Sequence, residues 1–206
     1  MRLVQTSLPI LSDWDTKSGW LANLPQRKRD GTGQGSGPKA SQGTFADAAS
    51  FGEIVFNCTA GAVSLEALKL AGAENLKGKV LIDVSNPLDF SKGMPPTLTA
   101  CNTDSVVEQI QRAFPDTKVV KALNTMRHEL MTDSSLVPGD HDAFICGNDL
   151  AAKAEVIKIL KERFGWKSVI DVGDITGSRG LEMILPLWLR LSQVYDWTLF
   201  NFKVAK

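Results

Sequence analysis

Residues that announce chemistry are scarce in this 206-residue chain. There are two histidines, His128 and His141, and three cysteines, Cys58, Cys101 and Cys146. No C-x-x-C pair occurs, which excludes the zinc-ribbon and thioredoxin spacings. The thiols read as small apolar residues in a reduced compartment. Neither sign of charge dominates. The 23 basic residues balance 23 acidic ones, so there is no general pull toward nucleic acid or an anionic membrane. No apolar run is long enough to span a bilayer. The start, MRLVQTSLPILSDWD, has a short, interrupted apolar stretch and makes a poor signal peptide. A cytoplasmic location is the expectation. A dinucleotide-type glycine turn, G-x-G-x-x-G, is missing as well. The one glycine-dense stretch is RKRDGTGQGSGP, Arg27 to Pro38. Counting from Gly31 puts Ser36 at the third glycine position, and counting from Gly33 puts Pro38 there. No buried-strand pattern precedes it. It reads as a flexible linker with a solvated basic cluster at Arg27 to Arg29.

What is present is an ordinary globular composition, 43% hydrophobic and 22% charged. The chain changes character near Thr44. Residues 1–43 form an atypical, loop-rich or disordered segment, with 12–43 especially rich in Gly, Ser, Lys, Asp and Gln. Residues 44–206 form one domain in which strand and helix signals alternate. Strands are predicted at Glu53–Asn57, Lys79–Val84, Lys118–Leu123, Ala143–Cys146 and Ser168–Val172. Helical spacing covers Ala62–Ala71, which Gly72 stops, and Ala151–Phe164. Ser105-x-x-Glu108 is a capping box that opens a helix with Val106, Ile110 and Phe114 on its core face. A largely apolar helix, Leu181–Val194, is kinked or interrupted by Pro186. Strands alternating with helices predict an α/β fold, with a mostly parallel sheet covered on both faces.

Such sheets bind ligands at the carboxyl ends of their strands. Polar residues gather there: Asn57-Cys-Thr59, Ser85-Asn-Pro87, Asn124-Thr-Met126 and Gly173-Asp-Ile-Thr176. Asn57, Asn86 and Asn124 follow three successive strands, which points toward a ligand. Each can equally cap its strand end through side-chain hydrogen bonds. Asp83 and Asp174 can hold loops by accepting backbone N–H bonds. Arg112, Arg179, Glu182 and Lys203 suit ion pairs or surface contacts. No residue is assigned as an acid or base.

From Thr44 onward the chain resembles the coenzyme F420-dependent NADP oxidoreductases. The resemblance is carried by Thr44-Phe-Ala-Asp-Ala48, Val55-Phe-Asn-Cys-Thr-Ala-Gly61, Asp83-Val-Ser-Asn-Pro-Leu-Asp-Phe90, Gly93-Met-Pro-Pro96, Lys121-Ala-Leu-Asn-Thr125, Gly173-Asp-Ile-Thr176 and Leu185-Pro-Leu-Trp188. The resemblance implies a Rossmann-type doubly wound sheet with a C-terminal extension, and NADP(H) lying across the strand ends. Asn57, Thr59, Asn86 and Pro87 would border the cofactor. Asn124 and Thr125 would approach the nicotinamide. Met126 and Trp188 would wall the acceptor, which would be coenzyme F420, a flavin or a small quinone-like molecule. It also implies a homodimer. Hydride would pass directly between the two rings, with the protein holding them face to face.

The family opens with a buried strand and a glycine turn, and neither is found here. Arg2–Leu11 replaces that strand imperfectly, the amino end is truncated or scrambled, or the chain is a catalytically silent binding or assembly module that has lost the pyrophosphate site. Loss of the first strand would expose the flank of Glu53–Asn57.

Overall fold

The computed structural model describes residues 18–21 and 43–206. The Arg2–Leu11 stretch and the Arg27–Pro38 glycine cluster lie outside the described residues. A six-stranded sheet runs in the order β1-β2-β3-β6-β7-β8. Its strands are β1 (Ser18–Leu21), β2 (Ile54–Asn57), β3 (Val80–Asp83), β6 (Lys118–Ala122), β7 (Asp142–Gly147) and β8 (Ser168–Asp171). A two-stranded antiparallel ribbon, β4 (Leu88–Asp89) with β5 (Thr97–Leu98), sits in the connection after β3. Every neighbouring pair in the main sheet is parallel except β6 with β7. This is the mostly parallel α/β sheet the alternation predicts.

One strand departs from the sequence reading. Ser18–Leu21 lies in the stretch read as a connection, yet it pairs parallel with β2, from Ser18 opposite Ile54 to Leu21 opposite Asn57. Four residues are too few to show a periodicity. What selects them is the row of backbone groups on the outer flank of β2, which pairing satisfies. Among the described residues, the flank that a missing first strand would bare is therefore covered by Ser18–Leu21.

Alternation along the strands builds two cores. Val55, Leu81 and Val119 face one, together with Leu68 and Ala71 of α2 (Gly61–Ala71) and Val107 and Ile110 of α4 (Val106–Ala113). Phe45 and Ala49 of α1 (Phe45–Phe51) complete that side. Phe56, Ile82 and Val120 face the other, with Val156 and Leu160 of α6 (Leu150–Glu162). Three short helices complete the described chain's larger elements: α3 (Ala73–Leu76), α5 (His128–Thr132) and α7 (Ser178–Met183). The last helix, α8 (Leu185–Val194), follows a break at Ile184 and carries Pro186 in its first turn, where no intrahelical donor is lost. Caps are set locally. Thr44 and Asp47 form a reciprocal capping box on α1, and Asp149 Oδ1 accepts from Ala152 N at 2.7 Å on α6. Gly72 ends α2 at φ +88°, a conformation suited to glycine.

Candidate functional site

The period of two that buries Val55, Leu81 and Val119 also places Asn57, Asp83 and Lys121 on the same face, one step nearer the strand ends. The ladder puts Asn57 opposite Asp83, Asp83 opposite Lys121, and Lys121 opposite Cys146. An apolar row thus gives way to a polar one at the rim. All three side chains are fully buried, so each needs partners.

Asn57 finds all of its partners inside the protein. Its Nδ2 donates to Asp83 Oδ2 at 2.5 Å and to Ser64 Oγ at 3.1 Å. Its Oδ1 accepts from Thr59 Oγ1 at 2.7 Å and Thr59 N at 3.3 Å. Two donors and two acceptor bonds exhaust the amide. Asn57 and the buried Thr59 therefore shape the turn between β2 and α2. Gly61, at the start of α2, fits against the next loop. Its N–H donates to Asn86 O at 3.1 Å, and a Cβ there would lie 2.3 Å from that same oxygen. Only glycine permits this approach.

Asp83 holds the β3 loop by accepting from Ser85 N at 3.1 Å and Ser85 Oγ at 2.9 Å. Lys121 Nζ lies 2.8 Å from Asp83 Oδ1, also donates to the Ser85 carbonyl, and sits 3.3 Å from Glu182 Oε1. Burial alone would push the Lys121 ammonium down. The Asp83 and Glu182 carboxylates outweigh it and hold its pKa above the ordinary value. Burial pushes the Glu182 carboxyl up, against the pull of Lys121 and of the Val106 N–H. Glu182 belongs to α7, and it accepts from Val106 N at 3.0 Å and Val107 N at 3.4 Å at the start of α4. It thus ties the C-terminal extension to β6 and to the positive end of a helix.

Asn86 and Asn124 join the loops after β3 and β6. Asn86 Nδ2 donates to Asn124 O at 3.1 Å, and Asn124 Nδ2 donates to Asn86 Oδ1 at 2.9 Å and to Leu181 O at 2.7 Å. Asn124 Oδ1 is buried without a partner. The three asparagines therefore lie along one rim.

Known proteins resemble this chain in sequence and fold. A crystal structure of a provisionally assigned F420-dependent NADP reductase from Arthrobacter sp. FB24 is 58% identical, covers 79% of this chain and 74% of its own, and superposes with a TM-score of 0.77. This chain belongs to the F420-dependent NADP reductase family. The F420-dependent NADP reductase of Methanocaldococcus jannaschii is 34% identical over 150 residues, which is 72% of this chain and 66% of that protein. The imine reductase of Myxococcus stipitatus, solved with NADP+, shares the fold alone, at 12% identity and a TM-score of 0.50 over 74% of this chain and 46% of its own. No protein-family model matches the chain.

Within this family member the remaining candidates fall in several places. Pro87 is buried in the loop that packs on Gly61, and Thr125 is buried beside Asn124. Met126 is buried in the core with Leu123 and Leu130. Trp188, half-buried on α8, stacks on Phe200 with ring centroids 5.8 Å apart. Asp174 holds its turn by accepting from Thr176 N at 2.9 Å. Arg112 pairs with Asp104, Arg179 with Glu108, and Lys203 with Asp142. Burial pushes the Cys58 and Cys146 thiols up to about 12, so neither is a nucleophile near neutrality. Sequence reasoning missed Lys121 as a site element. The signal was there, a cation at an inward position of the run Lys118-Val-Val-Lys-Ala-Leu123.

Proposed function

We propose that this chain is an NADP(H)-dependent oxidoreductase that moves a hydride between nicotinamide and a deazaflavin of the F420 class, or a similar small redox acceptor such as a flavin. Family membership sets the reaction class. The observation that carries the reading to this chain is the rim itself, where an orphaned, buried amide oxygen on Asn124 stands beside half-buried Asn86 at the strand ends. An unpaired buried acceptor at the place where doubly wound sheets take their ligands fits a nucleotide carrying polar ring substituents. Asn86, Pro87, Asn124 and Thr125 would hold the cofactor. Asn57, Thr59, Asp83 and Lys121 would fix the loops that present them. The nicotinamide supplies the hydride chemistry when bound, so the protein needs no nucleophile. Its contribution is orientation.

The chain spans 66% of the length of the Methanocaldococcus relative, and the sequence holds no G-x-G-x-x-G turn. That second fact favours one alternative, a catalytically silent binding module. The test is NADPH oxidation by the purified protein with a deazaflavin or flavin acceptor. Turnover above a protein-free control supports the enzyme. A rate equal to the control supports the silent module.

The same reading includes a homodimer in the cytoplasm. Leu187, Val194, Tyr195 and Trp197, on and just after α8, are each about half exposed or more, an apolar surface suited to a second copy. Light scattering that returns the mass of a single chain would remove the dimer. Among the described residues no helix is long and apolar enough to cross a membrane.

A further inference from the structure

The orientation of the Asn124 amide is fixed by its partners. Nδ2 donates to the Leu181 carbonyl, and a backbone carbonyl only accepts. A reversed amide would set oxygen against oxygen there, and again at Asn86 Oδ1. Asn86 is itself held, because its Nδ2 donates to the Asn124 carbonyl. Glu182, next in sequence to Leu181, is anchored to Lys121 and to the start of α4, so the carbonyl that reads Asn124 sits on a fixed element. Both amide hydrogens of Asn124 are consequently engaged, and Oδ1 is the buried atom left without a partner, in a residue only 2% exposed.

An atom with these properties accepts and cannot donate. Phosphate and carboxylate groups, themselves acceptors near neutral pH, are poor partners for it. A primary amide is a good one, since its N–H would satisfy an acceptor that is otherwise left unpaired. We propose that Asn124 Oδ1 accepts an N–H of the nicotinamide carboxamide, and so selects for rings that carry such a donor. This rests on the nucleotide reading above and adds the atom and the polarity of recognition to it. The same geometry makes Leu181 and Asn86 positioning residues, because they decide which end of the Asn124 amide is left without a partner.

Isothermal titration calorimetry of the wild-type protein separates the two levels. The ligands are NADP+, its thionicotinamide analogue, which keeps the amide hydrogens, and its acetylpyridine analogue, which has none. NADP+ and the thionicotinamide analogue should bind with similar Kd, and the acetylpyridine analogue roughly tenfold more weakly. In Asn124→Ala, checked for an unchanged circular dichroism spectrum, that gap should close. Equal Kd for NADP+ and the acetylpyridine analogue in the wild type overturns the proposal and leaves the nucleotide reading intact, with a different donor, such as a ribose hydroxyl, at Oδ1. A gap that persists in Asn124→Ala overturns it too. Absence of any heat with NADP+ up to millimolar concentration removes the nucleotide reading and this proposal with it.

Discussion

Lys121 carries more of the rim than any residue that lines it. Its ammonium joins Asp83, the Ser85 carbonyl and Glu182 in a space closed to solvent. Removing one partner from a buried ion pair leaves uncompensated charge, which costs about 3–5 kcal/mol. Lys121→Met would leave two carboxylates facing each other, so urea unfolding should show a loss of about that size. A loss under about 1 kcal/mol would mean that the network contributes little. At this scale the sequence was partly readable. The asparagines stood out because polar residues at strand ends are where ligands or caps belong. Their partners did not, because Asn57 reaches Asp83 across a separation of 26 residues and Asn86 reaches Asn124 across 38. Pairing over such distances is set by strand register, which a single sequence does not encode locally.

Elements were more readable than contacts. The five strands and the main helices past Thr44 follow from period and from stop signals such as Gly72 and Pro115, and they differ from the structure mainly at their ends. Pro186 interrupts the C-terminal helix as its chemistry requires. The Ser105 box is only half realised. Ser105 Oγ accepts from Glu108 N at 3.1 Å, but the Glu108 carboxylate turns to Ser105 Oγ at 2.8 Å and to Arg179, with its Oε2 2.9 Å from Arg179 Nε. A long-range cap from Glu182 supplies the helix start instead. The Arg179 guanidinium is the main cause that holds the Glu108 carboxyl below its ordinary value of 4.5. A depressed carboxyl stabilises the folded state fully above its unfolded pKa, and that contribution fades as pH falls through the folded pKa. The urea midpoint should therefore drop as pH is lowered from about 5 to about 3, and Glu108→Gln should flatten part of that slope. An identical acid slope in both proteins would show that the clip between α4 and α7 adds nothing. The strand β1 was not readable at all, since its identity lies in the neighbour it pairs with.

Over the whole molecule, the two cores and the parallel ladder serve one purpose, which is to bring loops from β2, β3 and β6 to a common edge. The extension after β8 then closes over that edge through Leu181 and Glu182. The fold class followed from the alternation of strands and helices, and the family from motifs spread along it. The sequence could not say which polar side chains are used up within the protein and which remain open, because that depends on how every neighbour is satisfied. A crystal structure of the protein with NADP+ bound addresses the point directly. The nicotinamide ring should lie at the Asn86–Asn124 edge, with its carboxamide against Asn124 Oδ1. A nucleotide seated elsewhere on the molecule, with that edge untouched, would contradict the assignment of the rim as the cofactor site.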